Sequence, residues 1–166
     1  MSQTNVKNYF LQFNTEKLIP ILSLPDPPED DILGYITIYG PGVSPATGPS
    51  IKEFLIELVK GQDVNITLMP INLTTADRIF FNSNNNEAPF RIKRSNNNPN
   101  KPLKSSYFNG NFHNYAVTMH LTATHKLETT SNITFDILLI PAGKTVTEGY
   151  NFVIDPQLQI KQPSNP

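Results

Sequence analysis

The stretch GYNFVIDPQLQIK, residues 149–161, shows most clearly which secondary structure this chain favours. After Asp155-Pro156, the apolar residues Leu158 and Ile160 alternate with three polar ones: Gln157, Gln159 and Lys161. A period of two indicates a β-strand with one buried face, because successive side chains of a strand point to opposite faces. Pro156 has no N–H, so we expect it to break the hydrogen-bond ladder locally, as prolines do at sheet edges or bulges. The stretch predicts a strand that closes a β-sheet core.

The same alternation recurs along the chain in short runs between turn-forming residues. The chain has 166 residues with 15 prolines and, counted along the sequence, 19 asparagines. Besides the closing stretch, we predict strands at residues 6–14, 32–40, 63–72, 77–82, 89–94, 114–126 and 132–143. Many short strands with apolar faces predict one all-β domain spanning 1–166. We expect an antiparallel β-sandwich, jelly-roll or Ig-like, with at most one short helix.

Two segments test this reading. Residues 51–60 fit a helix, because Ser50 and Glu53 have the spacing of a capping box. They also fit a strand, since apolar side chains alternate from Phe54 onward; we favour the strand and leave the helix open. Residues 24–31, LPDPPEDD, hold three prolines that each lack a donor, so we expect no regular structure there. Their clustered carboxylates favour a solvated acidic loop over a calcium site.

Composition narrows the classes of function. The net charge of −1 and the pI near 6.3 argue against a general nucleic-acid binder. The absence of cysteine removes disulfides and thiolate chemistry and fits a reducing compartment. The longest apolar run, residues 137–140, is too short for a membrane span, and no secretory signal is visible. We expect a cytoplasmic protein; release by a non-classical route stays open.

The residues that usually carry catalysis are sparse. His113, His120 and His125 are the only histidines. His120 is an odd number of positions from each of the other two, so a shared strand would place them on opposite faces. No nucleophile elbow, phosphate-binding loop or metal-ligand spacing occurs. The sequence predicts no cofactor, no metal and no enzymatic activity.

One segment offers residues for binding. We expect the polar loop near 82–104 to be mobile, and residues 162–166 to form a short disordered tail. Candidate contacts to a ligand or surface are Arg91, Lys93, Arg94, Asn96, Asn97, Asn98 and Tyr107. The basic residues could hold an anion, or they could guard an exposed strand against edge pairing.

Four segments resemble the PixA/AidA inclusion-body protein family. They are YFLQFNTEKLI (9–19), IELVKGQDVNITLMPIN (56–72), NYAVTMHL (114–121) and EGYNFVIDPQLQIK (148–161). In that family, a hydrophobic strand runs into an Asp-Thr-Glu segment, where this chain has Asn14-Thr15-Glu16. The resemblance implies a small bacterial β-sandwich that accumulates in the cytoplasm, sometimes as inclusions, in quorum-regulated or host-associated settings. It implies no established enzymatic activity.

Two functions follow as expectations. The first is self-association as a homodimer or larger, through an exposed edge formed by Gln157, Gln159 and Lys161. The second is a lectin-like binding module that recognises a glycan or host surface through its Asn-rich loops, since amides both donate and accept hydrogen bonds.

Overall fold

The computed structural model of the chain describes residues 6–41, 43–45, 54–82, 90–93, 108–111 and 114–164. Strands dominate these residues, with two short α-helices near the start. The strands are β1 (Lys7–Phe13), β2 (Ile36–Tyr39), β3 (Val43–Pro45), β4 (Phe54–Val59), β5 (Asp63–Pro70), β6 (Arg78–Phe81), β7 (Phe90–Lys93), β8 (Phe108–Asn111), β9 (Thr118–Ala123), β10 (Leu127–Ile140), β11 (Tyr150–Ile154) and β12 (Gln157–Lys161). The helices are α1 (Thr15–Leu22) and α2 (Glu29–Leu33), and a 3-10 helix spans Val146–Glu148.

The strands form two mixed sheets. The first has five strands in the order β2-β1-β5-β9-β8, and the second has seven. In the second sheet β10 is central: it pairs with β11 and β12, and also with β6 and β7. β12 continues to β4 and then β3. Two pairs, β1 with β5 and β12 with β4, are parallel, so the expectation of a purely antiparallel fold is wrong.

The closing stretch keeps one register along β10 from Tyr150 to Leu158, and the register then shifts between Ser131 and Leu127 of β10. Phe135 faces Ile154 and Asn132 faces Gln157, so no residue is gained or lost at Asp155-Pro156. The backbone N–H of Ile133 donates to the carbonyl of Pro156 at 2.9 Å. The reciprocal bond cannot form, because proline has no N–H. The predicted break in the hydrogen-bond ladder is therefore the loss of one N–H donor at Pro156, and the strand pairing with β10 continues past it.

Buried side chains of both sheets belong to one hydrophobic core. Tyr9, Leu11 and Phe13 point into it from β1, as the alternation predicts. The ring of Phe13 packs edge-on against Phe152 of β11, with centroids 6.3 Å apart. The core explains why the strands of the first sheet alternate buried and accessible positions, and it defines an outer face for each sheet, directed away from the core. In the second sheet, β10 does not alternate, because every side chain from Ile133 to Ile140 except Asp136 is buried.

The two helices correct the prediction of at most one. Asn14 caps α1 by accepting a hydrogen bond from the N–H of Lys17, and Leu18 and Leu22 then bury one side of the helix. Helix α2 begins directly after Pro28, inside the segment predicted to be irregular, and its first turn is acidic. Acidic side chains stabilise a helix N-terminus, which the loop interpretation overlooked.

Other boundaries also differ from the predictions. Residues 32–35 precede β2 instead of beginning it, because Ile32 and Leu33 complete α2. β10 begins at Leu127, five residues before the predicted strand. Residues 54–59 form a strand, which confirms the favoured reading of that segment.

The terminal strand is not an edge. β12 has β10 on one side and β4 on the other, so its backbone groups pair in both directions. The prediction that Gln157, Gln159 and Lys161 form an exposed edge is therefore wrong. Whether their side chains contribute to self-association stays a prediction.

Candidate functional site: the outer face of the first sheet

The outer face of the five-stranded sheet carries a regular lattice of polar side chains. We call it the polar face. Its described side chains are Asn8, Phe10 and Gln12 of β1, Thr37 and Tyr39 of β2, Asp63, Asn65, Thr67 and Met69 of β5, and Thr118, His120 and Thr122 of β9. Strand pairing fixes these residues in rows, because residues opposite each other on neighbouring strands project to the same side.

One row is a chain of hydrogen bonds across three strands. Asn8 lies opposite Asn65, and Asn65 lies opposite His120. The side-chain amide of Asn65 donates to Asn8 Oδ1 at 3.1 Å, and its oxygen contacts His120 Nδ1. Because an amide oxygen can only accept, this contact requires a proton on Nδ1 of His120. The row holds its amides in a fixed orientation at the surface.

The adjacent rows are also cross-linked by side chains. Thr67 and Thr118 share a hydrogen bond of 3.0 Å, and the hydroxyl of Thr122 donates to Asp63 at 2.6 Å. Each bond joins β5 to β9 between residues in register. The surface is therefore ordered by its own hydrogen bonds before anything binds to it.

Two aromatic rings lie at one side of this lattice. Phe10 and Tyr39 face each other across the β1–β2 pair, and they are 39% and 51% exposed. The chain after Tyr39 is held against buried Tyr9, whose hydroxyl donates to the carbonyl of Pro41 at 2.7 Å. Burial raises the pKa of Tyr9 to about 12, so this donor stays protonated at neutral pH. Exposed aromatic rings next to fixed polar groups suit binding, since one surface then offers both apolar area and hydrogen bonds.

The polar face carries little charge. Asp63 and His120 are the only acidic or basic side chains of the Asp, Glu, His, Lys and Arg types among its described residues. The outer face of the second sheet differs: Lys161 of β12 pairs with Glu57 of β4 at 3.1 Å. Gln157 and Gln159 lie partly buried on that second face, in the same strand as Lys161.

The predicted binding residues fall mostly elsewhere. Arg91 and Lys93 lie in β7, paired opposite Thr134 and Asn132 of β10, and not in the first sheet. Arg94, Asn96, Asn97, Asn98 and Tyr107 lie outside the described residues, as do most of the 82–104 loop and His113. The structure therefore does not bring the predicted contacts together into a described site.

Sequence reasoning missed the polar face as a unit, although part of its signal was visible. The alternation in residues 114–126 separates Thr118, His120 and Thr122 from apolar neighbours. What the alternation cannot show is which strands are neighbours. The parallel pairing of β1 with β5 is what brings Asn8 beside Asn65, 57 positions along the chain.

The carboxylate of Asp77, directly before β6, links separate segments of the chain by hydrogen bonds. Asp77 accepts hydrogen bonds from the hydroxyl of Thr15 at 2.7 Å and from the N–H of Ala142 at 2.8 Å. Partial burial tends to raise the pKa of Asp77, but its hydrogen bonds with Thr15, Ala142 and Thr75 together lower it.

In the described parts of the chain, no group of three or more His, Asp or Glu side chains could hold a metal ion. No described helix is long and apolar enough to cross a membrane.

These observations define a strand-rich protein with two mixed sheets and one ordered, weakly charged sheet face. No model of a known protein family matches the sequence, and a comparison with curated proteins finds no match. Among solved structures, the chain is similar to the inclusion body protein PixA from Burkholderia cenocepacia J2315. The TM-score is 0.57 and the identity 10%, over 96% of this chain and 97% of that one. The resemblance to the PixA/AidA family is thus confirmed in the fold, along nearly the whole length of both chains.

Proposed function

We propose that this protein is a non-enzymatic, self-associating protein of the inclusion-body type, which accumulates in the cytoplasm. The observation that carries the proposal is the polar face, where fixed hydrogen-bonding groups and two exposed aromatic rings occur with little charge. A face of this kind can meet another copy without strong repulsion. The net charge of −1 also leaves little long-range repulsion between whole molecules.

The structural comparison supports the same proposal. The solved protein of similar fold is described as an inclusion body protein, and it is matched over almost its full length. Accumulation at high concentration requires a surface that tolerates close contact between copies. The polar face meets that requirement, because most of its described side chains are polar and uncharged.

Light scattering across a hundredfold dilution series of the untagged chain tests the proposal. The expected result is an average mass above that of the monomer at high concentration, falling on dilution. Microscopy of a bacterial cell that produces the chain should show dense bodies in the cytoplasm. A strict monomer at the highest concentration would reject self-association.

A second candidate function is glycan binding, and a specific observation favours it. Asn8, Asn65 and His120 present amide and imidazole groups in one row, and Phe10 and Tyr39 lie in the adjacent row of the same face. Amides match sugar hydroxyls because both groups donate and accept hydrogen bonds. In this proposal the glycan would bind a sheet face, whereas the sequence predicted binding by the Asn-rich loops.

A glycan array with free sugar as competitor tests the second candidate. Binding that the free sugar displaces, and that Tyr39→Ala abolishes, would favour the lectin-like function. Tyr115→Ala is a matched control, because Tyr115 is equally exposed but packs against Phe80 outside the polar face. An array without displaceable binding would remove this candidate.

A further inference from the structure

We infer that two copies of this chain associate by packing their polar faces against each other. The inference rests on the proposed self-association and adds the surface through which it occurs. The binding partner of this face is a second copy of the chain, because the face has the size, the low charge and the hydrogen-bonding groups that contact with an identical face requires.

The size of the face is sufficient for a specific contact. The first sheet has five strands. With strands about 4.8 Å apart and about 20 Å long, the face covers roughly 500 Å² in projection. Two such faces bury about 1,000 Å² or more in total, which reaches the lower bound for a specific protein–protein interface. The expected association is therefore weak and sensitive to concentration.

The charge of the face permits contact between identical surfaces. A two-fold interface places the same patch on both partners, so any dominant charge would oppose itself. Among the described residues of the polar face, only Asp63 and His120 are of the Asp, Glu, His, Lys or Arg types. Asp63 is already hydrogen bonded to Thr122 within its own chain, which leaves part of the carboxylate satisfied.

The hydrogen-bonding groups are self-complementary. Asn8 and Gln12 carry side-chain amides on one strand of the face, and Asn65 carries a third on the neighbouring strand. An amide both donates and accepts, so an amide surface can satisfy a copy of itself. Phe10 and Tyr39 then supply apolar area that contact would remove from water.

A charge placed at the face tests the inference. Thr118 is exposed and lies on β9, which has neighbours on both sides, so Thr118→Lys changes the face without altering a sheet edge. Val153→Lys is the matched control, because Val153 is 41% exposed on β11 of the second sheet. Both variants add the same charge to the chain. Phe10→Ala is a second test that removes apolar contact without adding charge.

Sedimentation equilibrium of the full chain and its three variants gives the readout, with circular dichroism to confirm that each variant folds. We expect Thr118→Lys to raise the dimer dissociation constant at least about tenfold, because the contact would bury an unpaired charge. Phe10→Ala should raise it as well, and Val153→Lys should leave it near the wild-type value.

The outcomes separate this inference from the proposed function. If the wild type is monomeric at every concentration, the proposed self-association fails and the inference falls with it. If the wild type associates but Thr118→Lys and Phe10→Ala associate equally well, self-association stands and the polar face is not the contact. If Val153→Lys is the only variant that weakens association, the contact lies on the second sheet and the inference is wrong. A monomeric wild type whose polar face instead binds a displaceable glycan would also overturn the inference.

Discussion

Gly149 shows how a single residue permits the closing stretch to lie against its neighbour. A Cβ placed on Gly149 would lie 2.7 Å from Leu138 Cδ1 and 3.1 Å from Ile140 Cγ1. Both side chains are buried on β10, so they have little room to move away. The Gly-Tyr pair that opens the stretch is visible in the sequence, but its reason is not, because Leu138 and Ile140 approach it only through the β10–β11 pairing.

We therefore expect Gly149→Ala to destabilise the fold. Inserting a methyl group into a well-packed site usually costs about 1–3 kcal/mol. Urea denaturation measures the change in free energy of unfolding. Val153→Ala, at an exposed position of the strand β11 that follows Gly149, should change it far less. Equal stability of Gly149→Ala and the wild type would show that the close approach is absent in solution.

Asp77 predicts how stability responds to acid. Its pKa is lowered below the ordinary value of 3.8 in the folded chain, so its carboxylate stabilises the fold above that value. This contribution should be lost as the pH falls through the lower, folded-state pKa. We expect Asp77→Asn to lower the free energy of unfolding at pH 7 by about 1 kcal/mol and to flatten its fall in acid. Denaturation measured from pH 7 to acid checks both effects.

Asp26→Asn provides the control, because it removes the same charge from an exposed residue in the loop before α2. The two variants should differ at pH 7 and converge in strong acid. Identical curves at all pH values would mean that the hydrogen bonds from Thr15 and Ala142 do not stabilise the fold.

At the scale of single elements, the positions of strands in the sequence were more predictable than the pairing between strands. Alternation located β1, β5, β6 and β12 to within a few residues, because it depends only on the direction of side chains. Helix α2 was missed because the prolines of residues 24–31 were taken to exclude regular structure, although its first turn is acidic. Helix α1 was missed because residues 15–22 follow directly on the alternation of β1, although Asn14 caps the helix. The place of β12 inside the sheet depends on its parallel pairing with β4, which no local pattern encodes.

Hydrogen exchange can test the interior position of β12. Successive amides of a strand point to opposite neighbours, so Leu158 and Gln159 should donate to different strands. We expect both amides to exchange slowly, because β10 and β4 flank the strand. An edge strand would protect only one of the two. Alternating fast and slow exchange along residues 157–161 would show that β12 is an edge strand, as the sequence predicted.

At the scale of the whole molecule, composition predicted the strand-rich class but not the candidate site. The polar face combines residues of β1, β2, β5 and β9, and these meet only after the sheet has formed. The low net charge was readable from the sequence, whereas the distribution of uncharged polar side chains over one sheet face was not. The proposal of self-association depends on that distribution.

The most direct test is the labelling of tyrosines by hydroxyl radicals over a hundredfold range of concentration. Tyr39 and Tyr115 are 51% and 52% exposed, but only Tyr39 lies on the polar face. If copies pack through that face, labelling of Tyr39 should fall relative to Tyr115 as the concentration rises. A ratio that stays constant at every concentration would contradict self-association through the polar face.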